Sequence, residues 1–103
     1  MTVIPELSED KKQLTIAIKG RFDFASHQDF RSAYEKQNYT PKVFIVDLKE
    51  TTYLDSSALG MLLLLRDHAG GDNADVRLSN VSPDVKKILA ISNFEKLFTV
   101  SDK

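Results

Sequence analysis

The chain has 103 residues, 42% hydrophobic and 28% charged, which is the balance of a folded globular domain and not of a disordered chain. Its 14 basic and 15 acidic side chains are interspersed, so no basic cluster is available to attract nucleic acid or anionic lipid. Cysteine is absent, which excludes disulfides and thiolate metal sites, and the longest apolar run is too short to cross a bilayer as a helix. We therefore expect one cytoplasmic domain over residues 1–103, with no cofactor or metal and no nucleic-acid or membrane partner.

The first part of the chain predicts two strands and a helix. Residues 2–8 and 13–19 are the predicted strands, the second from its alternating apolar side chains, and a polar hairpin loop joins them. Gly20 is predicted to end the second strand. A helix capped by Ser26 is expected next, with its end near Gln37.

The middle of the chain carries most of the functional information. Residues 43–48 form a nearly continuous apolar run, which predicts a central strand covered on both faces of a sheet. Residues 49–54 are predicted to form a loop, and a helix is expected from about Ser56 to His68. Because ligands of open α/β sheets bind where strands end and helices begin, this helix start is the expected functional edge.

The last part of the chain predicts a strand, a helix and a short tail. Residues 75–79 are the predicted strand, and Ser82 followed by Pro83 predicts the start of the next helix. The tail over 94–100 is expected to add a helical turn and a short strand. The residues predicted to form the buried face of the last helix are Val85, Ile88 and Leu89, with Ser92 as a further candidate. The order of elements indicates an α/β fold with a mixed β-sheet of four to five strands packed with about four helices.

Asp55, Ser56 and Ser57 stand at the functional edge and admit two interpretations. The first is capping, which the spacing alone favours, because Asp and Ser side chains accept hydrogen bonds from the N–H groups of a first helical turn. The second is an anion site, because those N–H groups and the helix dipole tolerate a phosphoryl group. Asp23 and Asp47 are expected near the same edge, so phosphate on Ser56 would act on an acidic surface.

Ser56 is a poor candidate for the nucleophile of a hydrolase. Such a serine needs a base within hydrogen-bond reach, and His68 would lie about 18 Å away along the same helix. His27 belongs to another predicted helix, and a Gly-x-Ser-x-Gly motif is absent. Neither histidine has partners at metal-ligand spacing. The sequence therefore argues against hydrolase chemistry.

The predicted helix after Asp55 is rich in leucine, and two roles for it remain open. At 100° per residue, Leu59, Leu62 and Leu63 face one way while the other large apolar side chains spread around the helix. The helix is either deeply packed or leaves part of this apolar stripe exposed as a docking surface. Tyr53 likewise either packs beneath the loop or shapes the edge of such a surface.

Five segments carry a resemblance to a known family. Residues 43–48 and residues 53–60, which read Tyr-Leu-Asp-Ser-Ser-Ala-Leu-Gly, are similar to the signature of the STAS family, the anti-sigma factor antagonists. Residues 20–23 resemble its Gly-x-x-Asp turn, residues 80–89 its serine-proline helix start, and residues 94–98 its closing segment. These segments follow the family's order and spacing across the chain, and they imply a STAS-type single domain.

This resemblance implies a protein that is not an enzyme but a phosphoprotein of signal transduction and transcription regulation, in which Ser56 takes the phosphate. Asp23 matches an acidic residue that is often close to the acceptor in the family, and Ser57 is the neighbour for which only a secondary role is implied. The residues expected to contact a partner are Asp23, Asp55, Ser56, Ser57 and Leu59.

The resemblance also implies the partners. A serine kinase that is itself an anti-sigma factor or a similar regulator would bind the unphosphorylated protein and transfer a phosphoryl group from ATP to Ser56. Phosphorylation would release that regulator, and a PP2C-type phosphatase would reset the switch. The alternative is a STAS adaptor that is never phosphorylated and serves as a small subunit of a lipid ABC transport system. The intact Asp-Ser-Ser pattern favours the first hypothesis.

Overall fold

Six strands and three α-helices make up the part of the chain that the structure, a computed structural model, describes: residues 2–35 and 41–101, with the backbone alone for Ser26. In chain order the elements are β1 (Thr2–Leu7), β2 (Gln13–Phe22), α1 (His27–Glu35), β3 (Val43–Asp47), β4 (Thr51–Leu54), α2 (Ser56–His68), β5 (Val76–Ser79), α3 (Pro83–Ile91) and β6 (Thr99–Val100). Short 3₁₀ turns lie at Phe24–Ser26, Gly71–Asn73 and Phe94–Lys96.

The strands form one mixed sheet in the order β1-β2-β3-β5-β6, so β3 lies at its centre. β1 is antiparallel to β2, and the other neighbours in this order are parallel. β4 pairs with β2 in parallel, beyond the point where β3 ends. The path from β2 through β3 and β5 to β6 always proceeds in one direction across the sheet, and right-handed crossovers then place all three helices on the same face.

The core lies between that face of the sheet and the helices. Along the strands the buried side chains alternate, as in Leu14, Ile16 and Ile18 of β2 and Phe44 and Val46 of β3. The helices add their own buried side chains to this cluster, namely Phe30, Ala33, Tyr34, Ala58, Met61, Leu62, Leu65, Val85 and Leu89. Full burial of a leucine stabilises the fold by roughly 1.5–3 kcal/mol, so α2 with two fully buried leucines is firmly fixed.

The prediction of a central strand over 43–48 is confirmed, but the prediction that both its faces are covered is wrong. Phe44 and Val46 are buried, whereas Val43 and Ile45 on the opposite face are partly exposed. The physical reason is the one-sided placement of the helices, since the described helices all contribute to the core on the other side of the sheet.

The α/β class with a mixed sheet is confirmed, with corrections to the number of elements. The described residues contain three α-helices rather than about four, and six strands rather than four to five. The additional strand is β4, which occupies most of the loop predicted over 49–54. Two threonines and a tyrosine among its four residues favour extended backbone.

β2 continues past Gly20, where the sequence predicts its end. Gly20 has a φ of 88°, a left-handed value that glycine adopts without strain, and the register with β4 shifts between Gly20 and Arg21. The Gly20 amide donates to the Glu50 carbonyl at 2.9 Å, and the Thr51 hydroxyl donates to the Ile18 carbonyl at 2.8 Å. This bulge lets β2 exchange β3 for β4 as its partner and carries its last residues to the edge where α2 begins.

The predictions for the second and third helices are largely confirmed. α2 spans Ser56–His68 as predicted, and the Ser82 hydroxyl oxygen accepts from the Val85 amide at 3.3 Å as the cap of α3. The sequence predicts a buried Ile88, which is instead 36% exposed, because Val85 and Leu89 are the residues of α3 that face the core.

Other predictions are confirmed in part or lie outside what the structure describes. The tail contains the expected helical turn at Phe94–Lys96 and the expected short strand, β6. The predicted cap by the Ser26 side chain and the predicted helix end near Gln37 fall outside the described atoms. Among the helices over 2–35 and 41–101, none is long and apolar enough to cross a membrane. Within the same ranges no group of three or more His, Cys, Asp or Glu side chains could hold a metal ion.

Candidate functional site at the start of helix α2

β4 positions the start of α2. Its last residue, Leu54, is buried and pairs in register with Phe22, which is also buried. Asp55 then adopts an extended backbone, with φ −116° and ψ −175°, and α2 begins at Ser56. The buried pair of Leu54 and Phe22 lies before the turn, and two fully buried leucines follow in the helix. Packing on both sides of the turn therefore sets the position of the helix start.

Asp55 is the cap of α2. Its Oδ1 accepts from the Ser57 hydroxyl at 2.5 Å and from the Ala58 amide at 3.1 Å. These donors, led by the Ser57 hydroxyl, lower the pKa of the Asp55 carboxyl below its ordinary value, and the positive charge of Arg21 adds a smaller effect in the same direction. The carboxylate is therefore ionised at neutral pH and holds the first turn of the helix.

Ser56 is left outside this capping network. It is exposed, and its hydroxyl makes no hydrogen bond with the residues over 2–35 and 41–101. Ser57 is partly buried, and its hydroxyl is bound to Asp55. Capping thus accounts for Asp55 and Ser57 but not for Ser56. Of the three side chains, Ser56 is the most accessible to another molecule.

Arg21 and Tyr53 add a feature that reasoning from the sequence misses. They are register partners on β2 and β4, and both point away from the core because their neighbours Phe22 and Leu54 point into it. The Arg21 guanidinium carbon lies 4.1 Å from the centroid of the Tyr53 ring, a cation–π geometry. Tyr53 is 42% exposed, so its position supports the edge of a surface over packing beneath the loop. No local sequence signal indicates this contact, because it depends on the pairing of β2 with β4.

The two predicted acidic neighbours of the helix start are placed differently. Asp23 follows β2, with its Oδ2 3.4 Å from Arg21 Nε and its Oδ1 accepting from the Ala25 amide at 3.1 Å. Asp47 instead accepts from Asn80 Nδ2 at 2.9 Å. Asp23 therefore forms an ion pair with Arg21 near the start of α2. The hydrogen bond of Asp47 instead links the end of β3 to the segment that follows β5.

One face of α2 is exposed along much of its length. Ser56, Gly60, Leu63 and Leu64 are exposed, and their spacing of three and four residues places them side by side. Leu63 is 37% and Leu64 is 49% exposed, whereas Leu62 of the predicted stripe is fully buried, so the helix is packed on one side and leaves only part of its apolar surface open. Leu59, a predicted partner contact, is partly exposed and packs against the core. The side chains of α2 that face the core are Ala58, Met61, Leu62 and Leu65.

The two histidines pack against aromatic rings. His68 lies at the far end of α2 from Ser56, with its ring centroid 4.9 Å from that of Tyr34 and 6.2 Å from that of Phe44. The His27 ring stacks on Phe24 at 5.7 Å. His68 is nevertheless exposed, and twelve residues of helix place it about 18 Å from Ser56, too far to act as its base.

Solved structures share this fold. An anti-sigma factor antagonist from Mycobacterium paratuberculosis superposes with a TM-score of 0.80 at 15% identity, covering 99% of this chain and 86% of that one. A sulfate transporter family protein from Wolinella succinogenes superposes with a TM-score of 0.76 at 23% identity, covering 92% of this chain and 84% of that one. At such low identity the likeness concerns the fold alone.

Sequence comparison identifies the family. The chain is 64% identical over 101 residues to a STAS-domain containing protein of Pseudomonas aeruginosa (strain UCBPP-PA14), a match that covers 98% of each chain. The family model described as "Mlab, STAS domain" matches residues 6–99. The resemblance carried by the five sequence segments is thereby confirmed, and the chain belongs to the STAS domain family.

Proposed function

We propose that this STAS domain is a partner-switching regulator. Its unphosphorylated form binds a serine kinase of the anti-sigma factor type, and phosphorylation at Ser56 ends that binding. The observation that carries the proposal is the different use of three adjacent residues: Asp55 caps α2, Ser57 supports that cap, and Ser56 remains exposed. Because the Ser56 hydroxyl is exposed and takes no part in the cap, a kinase can reach it without local unfolding of the helix.

Phosphoryl transfer to Ser56 needs groups that the kinase supplies. The Ser56 oxygen attacks the γ-phosphorus of ATP, the bond to the β,γ-bridging oxygen breaks, ADP leaves, and the hydroxyl proton passes to a base of the kinase. This chain contributes the nucleophile and its fixed position. A PP2C-type phosphatase would reverse the change by hydrolysing the phosphoserine.

Phosphate on Ser56 would change the surface more than the fold. Phosphoserine carries about −1.5 to −2 charges at neutral pH, and the first turn of α2 tolerates an anion through its N–H groups and dipole. Asp55 precedes it directly, and Asp23 lies on the same edge beside Arg21. A partner that fits the neutral serine would therefore meet a bulkier side chain and a more negative potential, both of which weaken binding.

The exposed face of α2 supplies an apolar contact area next to Ser56. Leu63 and Leu64 share that face with Gly60, where an added Cβ would meet no atom within 4 Å beyond its own helix backbone and chain neighbours. A partner can therefore approach the helix closely at Gly60 and cover Ser56 and Leu64 together. The side chains proposed to border this surface are Asp23, Asp55, Ser57 and Leu59.

An adaptor subunit of a transport system is the second candidate function. This candidate is considered because a sulfate transporter family protein has the same fold. In that case the same face of α2 would be a permanent interface, and Ser56 would stay unmodified. The two candidates therefore differ in the fate of one hydroxyl.

Incubation of the protein with extract of its own cells and ATP, followed by mass spectrometry, separates these candidates. Under the switch hypothesis, phosphate appears on Ser56 in the wild type and in the matched variant Ser57→Ala, and it is absent from Ser56→Ala. Ser56 that stays unmodified under every condition, with Ser56→Ala and Ser56→Asp alike in cells, would rule out the switch and favour the adaptor.

A further inference from the structure

We propose that Arg21 binds the phosphoryl group of phosphorylated Ser56 within the same chain, and that this contact replaces those of Arg21 with Tyr53 and Asp23. The inference rests on the proposed phosphorylation of Ser56. It makes Arg21 a positioning residue of the switch, a role that neither the capping of α2 nor the core requires.

The bulge at Gly20 brings Arg21 to the start of α2. Beyond it, β2 pairs with β4, and Phe22 lies in register with Leu54, the residue before Asp55. Alternation along β2 buries Phe22 and directs Arg21 outward, where its side chain is 63% exposed. The guanidinium is therefore held on the outer surface at the level of the strand end from which α2 begins.

The Arg21 guanidinium interacts with two carboxylates near the start of α2. Arg21 Nε is 3.4 Å from Asp23 Oδ2. The Arg21 charge also lowers the pKa of Asp55, after the larger effect of the Ser57 hydroxyl. Because Asp55 directly precedes Ser56, a long arginine side chain that acts on one carboxylate can reach a phosphate on the next residue.

A phosphoryl group is a stronger partner for Arg21 than the Tyr53 ring or the Asp23 carboxylate. It carries about −1.5 to −2 charges and three acceptor oxygens, two of which a planar guanidinium binds at once. The present contact with Asp23 is long at 3.4 Å, near the limit of a hydrogen bond. Asp23 also keeps its bond with the Ala25 amide, so it retains a partner when Arg21 moves. The exchange therefore favours the phosphate.

The exchange would alter the docking surface in two places besides Ser56. The Tyr53 ring loses the cation above it, and Asp23 loses a positive neighbour. A regulator that recognises the stacked pair of Arg21 and Tyr53 would then meet a changed surface as well as the phosphate. Phosphorylation would in this way change the surface that the regulator contacts on β2 and β4 as well as on α2.

The test uses the full chain with phosphoserine installed at position 56 during translation, so that no kinase is needed. Titration of the phosphate is followed by ³¹P NMR around its ordinary midpoint of about pH 6. Arg21→Gln removes the cation that favours the doubly charged form and should raise the midpoint by about 0.2–0.7 pH units. Asp23 and Asp55, whose carboxylates interact with the Arg21 charge, are unchanged in this variant.

Arg77→Gln is the matched control. Arg77 also pairs with an aspartate two residues away, Asp75, and its side chain is 50% exposed on β5. Its removal should leave the midpoint unchanged. Equal midpoints in the wild type and Arg21→Gln would overturn the proposal, and so would an Arg21 Nε–H resonance that does not shift when position 56 carries phosphate.

The outcome is independent of the test of the proposed function. A raised midpoint in Arg21→Gln supports the contact even if cells never phosphorylate Ser56, which would refute the switch alone. Equal midpoints, together with phosphate found on Ser56 in cells, would refute the contact and leave the switch in place.

Discussion

The starts of α2 and α3 have the same capping geometry and different surroundings. In each, a side-chain oxygen of the cap residue accepts from the amide three residues later, Asp55 from Ala58 at 3.1 Å and Ser82 from Val85 at 3.3 Å. At α3 the serine is itself the cap, so its oxygen is occupied. At α2 an aspartate has that role, and the serine that follows is not needed for it.

The residue after the cap makes the difference. At α3 it is Pro83, which suits the first helical position and has no reactive group. At α2 it is the exposed Ser56, with Arg21 and Tyr53 stacked on the neighbouring strands. A cap therefore explains why a helix begins at a given residue. Whether that helix start can also serve as a binding or modification site depends on the groups around it.

The largest expected effect follows from placing a carboxylate at each helix start. Ser56→Asp puts a charge on the proposed binding surface and should weaken binding of the regulator about tenfold or more, since unmatched charge at an interface costs a few kcal/mol. Ser82→Asp puts the same charge at α3, where aspartate is an equally good cap, and should leave binding unchanged. The regulator is first recovered from cell extract by binding to immobilised Ser56→Ala protein as bait. Its affinity for each variant is then measured by titration calorimetry. Equal losses would show that the two helix starts do not differ in function.

A smaller effect, on stability, follows from removing each cap. Ser82→Ala should lower the free energy of unfolding by about 1 kcal/mol. Asp55→Ala should lower it further, because Asp55 accepts from the Ser57 hydroxyl as well as the Ala58 amide and is charged at the positive end of the helix dipole. Urea denaturation with unchanged m values measures the difference. A larger loss in Ser82→Ala would contradict the stronger cap at α2.

The smallest expected effect is a pH dependence confined to α2. The pKa of Asp55 is lowered in the folded protein, chiefly by the Ser57 hydroxyl, so its stabilising contribution is present above the ordinary aspartate value of about 3.9 and is lost as the pH falls through the lowered value. Thermal midpoints of the wild type and Asp55→Asn should therefore differ at neutral pH and converge in acid.

Ser82→Ala provides the control for this pH dependence. A serine cap does not titrate, so its difference from the wild type should stay nearly constant over the same pH range. If the Asp55→Asn difference is equally constant, the carboxylate at the start of α2 is not stabilised by its hydrogen bonds.

Local signals in the sequence were sufficient to predict the helix starts. α2 runs over the predicted residues because an aspartate before two serines and an apolar run define its start, and two glycines define its end. The cap and proline at the start of α3 are equally local. The choice of Ser56 over Ser57 rests on the family resemblance and stays a prediction, while the hydrogen bond with Asp55 shows that Ser57 takes part in the cap.

Features that depend on contacts between distant segments could not be predicted in this way. β4 has only four residues, and its pairing with β2 requires the bulge at Gly20, which resembles a strand end in sequence. The stack of Arg21 on Tyr53 follows from that pairing. The exposure of Leu63 and Leu64 was open for another reason: a helix that is apolar almost all round does not show in sequence which face meets the sheet.

The central claim is that phosphate on Ser56 ends partner binding, and one affinity comparison tests it most directly. The regulator recovered on the Ser56→Ala bait is titrated with the full chain carrying either serine or phosphoserine at position 56. We expect binding to the serine form and binding weaker by at least about tenfold, roughly 1.4 kcal/mol, to the phosphoserine form. Equal affinity for the two forms would contradict the switch.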